Sequence, residues 1–335
     1  MLYRFISEFR QKYNEILEKI ASSGIKTEYS VSYTSFKDFS ESDKRPQNGS
    51  YVCGICVKFY DNEYKGNGLK IKEIIAKSPL TKKKNDVVEG CIIEKIDGTP
   101  IEGTNEYYLL AGKIGKKVTL SILNPSSNKR FDVDVKPISA AQERDLLYQR
   151  WVERNRKIVE EKSGGKVGYI HIKGMDSPSF RTLYHEALGR YRNTPAIIVD
   201  TRHNGGGWLH DDVCTLLNGK EYSRYTPRGQ FIGRDPFNKY TGKSCMLVCE
   251  DNYSNAHGTP WLYKELGIGK LIGTPVPGTM TAVWWETLID PTMVFGIPMV
   301  GDMDNRGEYL ENQQLYPDIT VYNNPADVQN GKDAQ

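Results

Sequence analysis

Apolar residues recur at spacings of three and four along residues 2–21, where Leu2, Phe5, Ile6, Phe9, Tyr13, Ile16, Leu17 and Ile20 predict an amphipathic helix. A polar connector follows, with one short strand candidate near Tyr29 to Tyr33. From Tyr51 to Ile138 the pattern changes to short β-type runs, "VCGICVKFY", "LKIKEIIA", "GCIIEKIDG", "KKVTLSILN" and "FDVDVKPI", broken by Gly, Asn and Pro. That is the text of a compact, mainly β domain. "AAQERDLLYQRWVERNRKIVEEKSGG" then reads as a charged helix stopped by two glycines, an interdomain spacer.

Beyond the spacer, strand and helix patterns alternate. "KVGYIHI" predicts a strand, Phe180 to Tyr191 a helix, "PAIIVDTR" a strand, Leu209 to Leu217 a helix, "CMLVCED" a strand and Trp261 to Leu266 the body of a helix. Strands apolar on both faces and separated by helices imply a largely parallel α/β sheet. The fold class is therefore α/β and multi-domain: an N-terminal helical segment, a β domain and an α/β domain. Sites in such sheets gather at the carboxyl ends of strands, and both "DTRHNGGGW" and "EDNYSNAH" lie there.

Composition narrows the function classes. The 335 residues are 38% hydrophobic and include 21 tyrosines, enough to bury globular cores. Lys and Arg number 45 against 42 Asp and Glu, so no global charge draws the chain to nucleic acid or an acidic membrane. The "KKK" at 82–84 reads as a solvated loop. No apolar run is long enough to span a bilayer, and no signal peptide is visible. The text opens directly in a helix and stops at "NPADVQNGKDAQ", which leaves open that it is a piece of a longer protein, periplasmic if exported and cytoplasmic if complete. Of the six cysteines, two close pairs fall in strand-like text; Cys53 and Cys56 point to opposite faces, and Cys245 and Cys249 read as core positions. No metal, disulfide framework or cofactor is assigned.

The chemistry centres on Ser254. As a break between a strand and a helix, Ser254 or Asn255 reads as a helix cap, or else Ser254 is a nucleophile presented beside unpaired backbone N–H groups. Gly205, Gly206 and Gly207 could supply oxyanion donors; a phosphate loop is the competing use, but "HNGGGW" lacks the Lys and Ser/Thr of a P-loop. Pro260 is expected within the first four helix positions, which starts the helix close after Ser254.

Taken together, "GKVGYIHIKGM", "IIVDTRHNGGGW", "DNYSNAHGTPWLYKELGIGKLIGT" and "YLENQQLYPDITV" resemble, in order and spacing, the catalytic domain of the tricorn protease group, relatives of the C-terminal processing peptidases. Residues 50–138 resemble their PDZ domain, with Cys91 where the usual glycine-aspartate turn has Asp; 1–49 are then a helical segment and connector, and 139–335 the serine peptidase domain. The resemblance implies Ser254 as nucleophile, Gly207 and the Asn255 N–H as oxyanion hole, and Glu311 as the distal carboxylate. In the tricorn enzyme the residue after the nucleophile is Asp, so Asn255 keeps the donor without the charge. "TEYSVSYTS" matches the family's Ser-His pair, with Ser32 as the orienting serine and Tyr33 in place of the histidine base. A phenol with a pKa near 10 is a poor base at neutral pH, so the expected serine peptidase is weakened. Its rival is a non-catalytic peptide-binding relative. His257 is a substitute base, helix cap or substrate contact, and His203 could line the cleft. The implied partners are peptides or unfolded chains, with a homo-oligomer open, no nucleic acid, no membrane insertion and no cofactor.

Overall fold

The computed structural model describes residues 53–54, 57–59, 64, 66–81, 87–102, 106–329 and 331–335. The predicted helix over 2–21, the strand candidate near Tyr29, Ser32, Tyr33 and the lysine run lie outside these residues. The chain divides into two compact units between Arg144 and Asp145. No helix among the described residues is long and apolar enough to cross a membrane.

The first unit is antiparallel. Its strands are Cys53–Gly54 (β1), Val57–Phe59 (β2), Leu69–Ile74 (β3), Ile92–Ile96 (β4), Thr99–Pro100 (β5), Val118–Asn124 (β6), Lys129–Val135 (β7) and Ile138–Ser139 (β8), with a short helix Glu106–Leu110 (α1) before β6. Strand order is β2-β3-β4-β6-β7, with β5 turning back on β4 and β1 paired to β8. The β4–β5 turn is made by Asp97 and Gly98, both at positive φ, as a tight hairpin requires. Alternation along β6 buries Val118, Leu120 and Ile122 against Ile71, Ile93 and Val133. Cys91 is fully buried and its sulfur accepts the Val88 N–H at 3.5 Å, so the departure from Asp is absorbed in the turn.

Helix α2 (Ala140–Ser163) ends at Gly164 and Gly165, both at positive φ, a common way to stop a helix. The second unit then alternates as its apolar pattern requires: Val167–His171 (β9), Ser177–His185 (α3), Ala196–Asp200 (β10), His210–Leu217 (α4), Ser223–Tyr225 (β11), Gly233–Asp235 (β12), Lys243–Val248 (β13), Asn255–Glu265 (α5), Lys270–Gly273 (β14), Ala282–Thr287 (β15), Val294–Val300 (β16), Ile319–Thr320 (β17) and Pro325–Gln329 (α6). Five of these strands form one sheet in the order β17-β14-β13-β10-β9, every pair parallel. The core between sheet and helices holds Ile170, Val199, Val213, Met246, Val248, Tyr263 and Leu271. Helix α3 begins where Asp176 accepts the Ser179 N–H at 2.9 Å, and its end at 186–190 widens into a π turn.

The structure departs from the sequence reading in four places. Pro260 is the sixth residue of α5, not one of the first four. A proline there leaves the carbonyl four residues back without its N–H, and the Asn252 side chain supplies the missing donor to Ala256 O at 3.1 Å. Two hairpins, β11–β12 and β15–β16, are absent from that reading. So is strand β14, whose short "KLIG" text carries no alternation.

Candidate active site

Strands β10 and β13 run side by side, Asp200 level with Leu247. Their parallel register brings the loops that follow them, 201–209 and 249–254, to the same end of the sheet. Asn204 joins the two. Its side-chain amide donates to Ile172 O at 2.8 Å, its Oδ1 accepts the Gly206 N–H at 2.9 Å, and its carbonyl accepts the Tyr253 N–H at 3.0 Å.

The glycine loop is held against the chain after β9. Met175 N–H donates to Gly206 O at 2.9 Å and Trp208 N–H to Met175 O at 2.8 Å. Gly206 and Gly207 both have positive φ. A Cβ on Gly206 would meet the Ser254 Cβ and Tyr253 O at 2.7 Å, and one on Gly207 would strike Met175 O at 2.1 Å. Glycine is required at both positions because backbone must pack directly on the serine turn.

Ser254 occupies the turn into α5 with φ 55° and ψ −124°, and its side chain makes no capping hydrogen bond. The helix-cap reading of Ser254 therefore fails. A non-glycine residue held at such φ costs on the order of 1–3 kcal/mol and persists where the surroundings enforce it. Here the enforcement comes from the packed Gly206, from Thr279 Oγ1 accepting the Ser254 N–H at 3.1 Å, and from Ser254 O accepting the His257 N–H at 2.8 Å. Asn255 opens the helix, so its N–H is one of the four without an intrahelical partner. Within the described residues neither Asn255 N–H nor Gly207 N–H is engaged, whereas Gly206 N–H is taken by Asn204.

The Asn255 side chain has a second task that sequence reading missed. Its Oδ1 accepts the N–H groups of Leu209 and His210 at 2.7 and 3.0 Å, capping α4 from across the cleft, and its Nδ2 bonds His210 Nδ1 at 2.7 Å. The cap function thus sits on Asn255, but for the neighbouring helix. Leu209 at the start of α4 has no capping side chain of its own.

Glu311 lies one step from Ser254. Its carboxylate accepts the N–H groups of Met280 and Thr281 at 2.8 and 2.7 Å, and Thr279, next along, holds the serine N–H. Burial raises the Glu311 pKa, but the Thr281 backbone and side chain, Met280 N–H and the charge of His257 together leave it below the ordinary carboxylate value. Val276 and Leu315 exchange backbone bonds of 2.9 Å, and Asn312 N–H donates to Gly278 O at 2.9 Å, so the 276–281 segment is pinned along 311–315. Nothing in the local text around Thr279 signals this role.

His257 is buried in the first turn of α5. Burial holds its imidazole below the ordinary value, partly opposed by Glu311, and its Nδ1 has no hydrogen-bond partner within the described residues. It makes no hydrogen bond to the Ser254 hydroxyl. His171 packs between Tyr148 and Arg202 O, and His185 is exposed. Beneath the loops, Asp200 is fully buried and ion-paired with Arg202 at 2.6 Å, accepting also from Tyr169 at 2.7 Å. Burial alone pushes the Asp200 carboxyl up, and the guanidinium more than reverses it.

An antiparallel unit followed by a parallel α/β unit, with a strained serine and unengaged N–H groups at adjoining strand ends, defines a two-module chain whose site lies in the α/β module. Residues 65–140 match the tricorn protease PDZ domain and residues 166–321 match peptidase family S41. The chain is 29% identical over 320 residues to the tricorn protease of Thermoplasma acidophilum, covering 92% of this chain and 29% of that protein. It is 30% identical over 250 residues to the tricorn protease of Thermoplasma volcanium, covering 73% and 24%. The crystal structure of the tricorn protease superposes with a TM-score of 0.73 at 26% identity, over 85% of this chain and 28% of that one. The chain thus carries a peptidase family S41 domain and a tricorn-type PDZ domain, and it spans less than a third of the length of these relatives.

Proposed function

We propose that the chain is a serine-type peptidase acting on short or unfolded peptides, with Ser254 as nucleophile. The strained Ser254 turn, with its hydroxyl unused as a cap and Gly206 packed against it, carries the reading. The Ser254 oxygen bonds to the scissile carbonyl carbon as its proton passes to a base. The carbonyl electrons move to oxygen, and the Gly207 and Asn255 N–H groups donate to the resulting oxyanion with help from the α5 dipole. Collapse expels the amine with that proton, and water then releases the acyl group. Glu311 acts through the 279–281 segment as a positioning residue. Trp208 and Tyr253, both exposed beside the two loops, offer flat surfaces to an extended peptide.

The base is the weak part. Ser32 and Tyr33 stand at the family's Ser-His position by resemblance, and a phenol removes a proton poorly at neutral pH. Burial holds the His257 imidazole below its ordinary value, toward the neutral form a base needs. The activity is accordingly weakened. The β15–β16 hairpin exposes Trp284, Trp285, Phe295 and Met299, which supports a homo-oligomer, since patches of this kind commonly mark interfaces.

A fluorophosphonate followed by peptide mapping tests the reading. Label at Ser254, abolished by Ser254→Ala, is the expected result; label at scattered serines, or none at Ser254, leaves only peptide binding. Tyr33→His should raise turnover of a fluorogenic peptide by about 10²–10⁴, with an ascending pH limb near 6.5. A folded variant without gain removes Tyr33 from the base position.

A further inference from the structure

Three donor atoms of different elements meet where the two site loops leave their strands. His203 Nδ1 lies 2.9 and 3.1 Å from the Asp251 carboxylate oxygens, Cys249 Sγ lies 2.6 Å from Asp251 Oδ1, and Cys249 Sγ lies 3.9 Å from His203 Nδ1. All three ligand atoms fall within 4.8 Å of one another. The residues come from the ends of β10 and β13, so only the parallel register unites them. The described residues hold this one such cluster.

We propose that His203, Cys249 and Asp251 form a binding site for a borderline divalent cation of the zinc class. Nitrogen, sulfur and carboxylate oxygen are the donors zinc takes, at about 2.0–2.3 Å, which sets neighbouring ligand atoms about 3.4 Å apart in a tetrahedron. The three observed edges bracket that spacing. His203 and Asp251 are exposed, while the buried sulfur supplies a fixed point. The mixed set excludes calcium and magnesium, which want oxygen alone. Exposure on one side leaves the fourth position to water. On binding, the Cys249 thiol loses its proton to solvent and the thiolate takes the cation.

The backbone around the cluster is already arranged. His203 stands at φ 62°, a conformation uncommon outside glycine, and its ring lies edge-to-face with Trp151, the centroids 6.1 Å apart. Its N–H donates to Cys249 Sγ at 3.2 Å, so the sulfur's charge has a donor in place. Asn252 Oδ1 is 3.2 Å from the same sulfur, and its amide reaches Thr201 Oγ1 and Ala256 O, both at 3.1 Å. A cation here would tie together the loops that carry Gly207 and Ser254. The site lies outside the proposed peptidase residues, and it stands or falls separately from them.

Titration of the metal-free full chain with Co²⁺ under a non-thiol reductant is the test. The expected result is a thiolate-to-cobalt charge-transfer band with ligand-field bands of tetrahedral intensity, saturating at one equivalent and displaced by Zn²⁺. Cys249→Ser should abolish the charge-transfer band, and His203→Asn and Asp251→Asn should each weaken binding at least ~10-fold. His203→Asn tolerates the positive φ, and both exposed positions keep the test alive if Cys249→Ser fails to fold. No charge-transfer band in the wild type, or one that survives Cys249→Ser or is unmoved by both exposed variants, overturns the site. The same titration in Ser254→Ala gives the same spectrum, since the readout does not depend on peptidase activity.

Discussion

In the first unit Ile71, Ile93, Leu120, Ile122 and Val133 fill the interior, and the one buried polar residue among those described is Ser78. The second unit buries Asp200, Arg202, Asn204, Asn252, Asn255 and His257 beside its Leu and Val residues. A polar group buried without a partner costs roughly 1–3 kcal/mol, and a charge more. These residues are tolerated because nearly every one is bonded to another: Asp200 to Arg202 and Tyr169, Asn204 to Ile172 and Gly206, Asn255 to the start of α4. They cluster beneath one pair of strand ends. Buried polarity therefore marks the place where the fold sets loop geometry, while the first unit is held by an aliphatic interior.

Breaking the deepest pair gives the largest expected effect. Arg202→Ala leaves Asp200 buried without its counter-charge and should cost about 3–5 kcal/mol, read by urea unfolding followed through tryptophan fluorescence. All five tryptophans lie in the second unit, so the signal reports on it alone. A loss under about 1 kcal/mol would show that the pair is not what holds these loops. In the other interior, Ile122→Ala should cost about 2–5 kcal/mol by leaving a cavity, with a loss that stays constant from about pH 5 to 7 because its cross-strand partners, Ile93 and Phe131, are apolar. A pH-dependent loss would break the contrast.

Asn255 sharpens it further. Asn255→Ala strips two N–H groups at the start of α4 of their acceptor and should cost about 1–3 kcal/mol, slowing label at Ser254. Asn255→Asp keeps the acceptor for both N–H groups and places negative charge at a helix start, so its thermal midpoint should stay close to wild type; equal losses for Ala and Asp would mean that capping is not the role of this side chain. The smallest effect is expected at half-buried Glu311. Its folded pKa is depressed, so its stabilisation is complete above the ordinary carboxylate value of about 4.3 and is lost as pH falls through the folded value. Glu311→Gln, still able to accept both N–H groups, should flatten the acid limb of the stability curve and change little at pH 7. An unchanged acid limb would remove Glu311 from that role.

Much of the fold was legible because strands covered on both faces read as apolar runs. "AIIVD" and "CMLV" announced β10 and β13, and the three-to-four spacing between them announced α4. The β15–β16 hairpin was not legible: its tryptophans and methionines are exposed, so apolarity there does not signal an interior. Ser254 stood out as a lone serine between strand and helix, but whether it capped that helix could not be read locally, since the answer lies in a φ of 55° enforced by Gly206 and Thr279.

The sequence by itself determined the order of strands β9, β10 and β13 and of the helices between and after them, the parallel character of the second unit and the two loops where chemistry is concentrated, because hydrophobic period and glycine placement are properties of neighbours along the chain. Tertiary structure alone decided that Asn255 caps α4, that Glu311 reaches Ser254 through Thr279, and that Cys249, set in apolar text, turns its sulfur toward His203 and Asp251. Those contacts join segments dozens of residues apart. They follow from the register that sets Asp200 level with Leu247, a choice made by packing across the whole sheet rather than by any stretch of sequence.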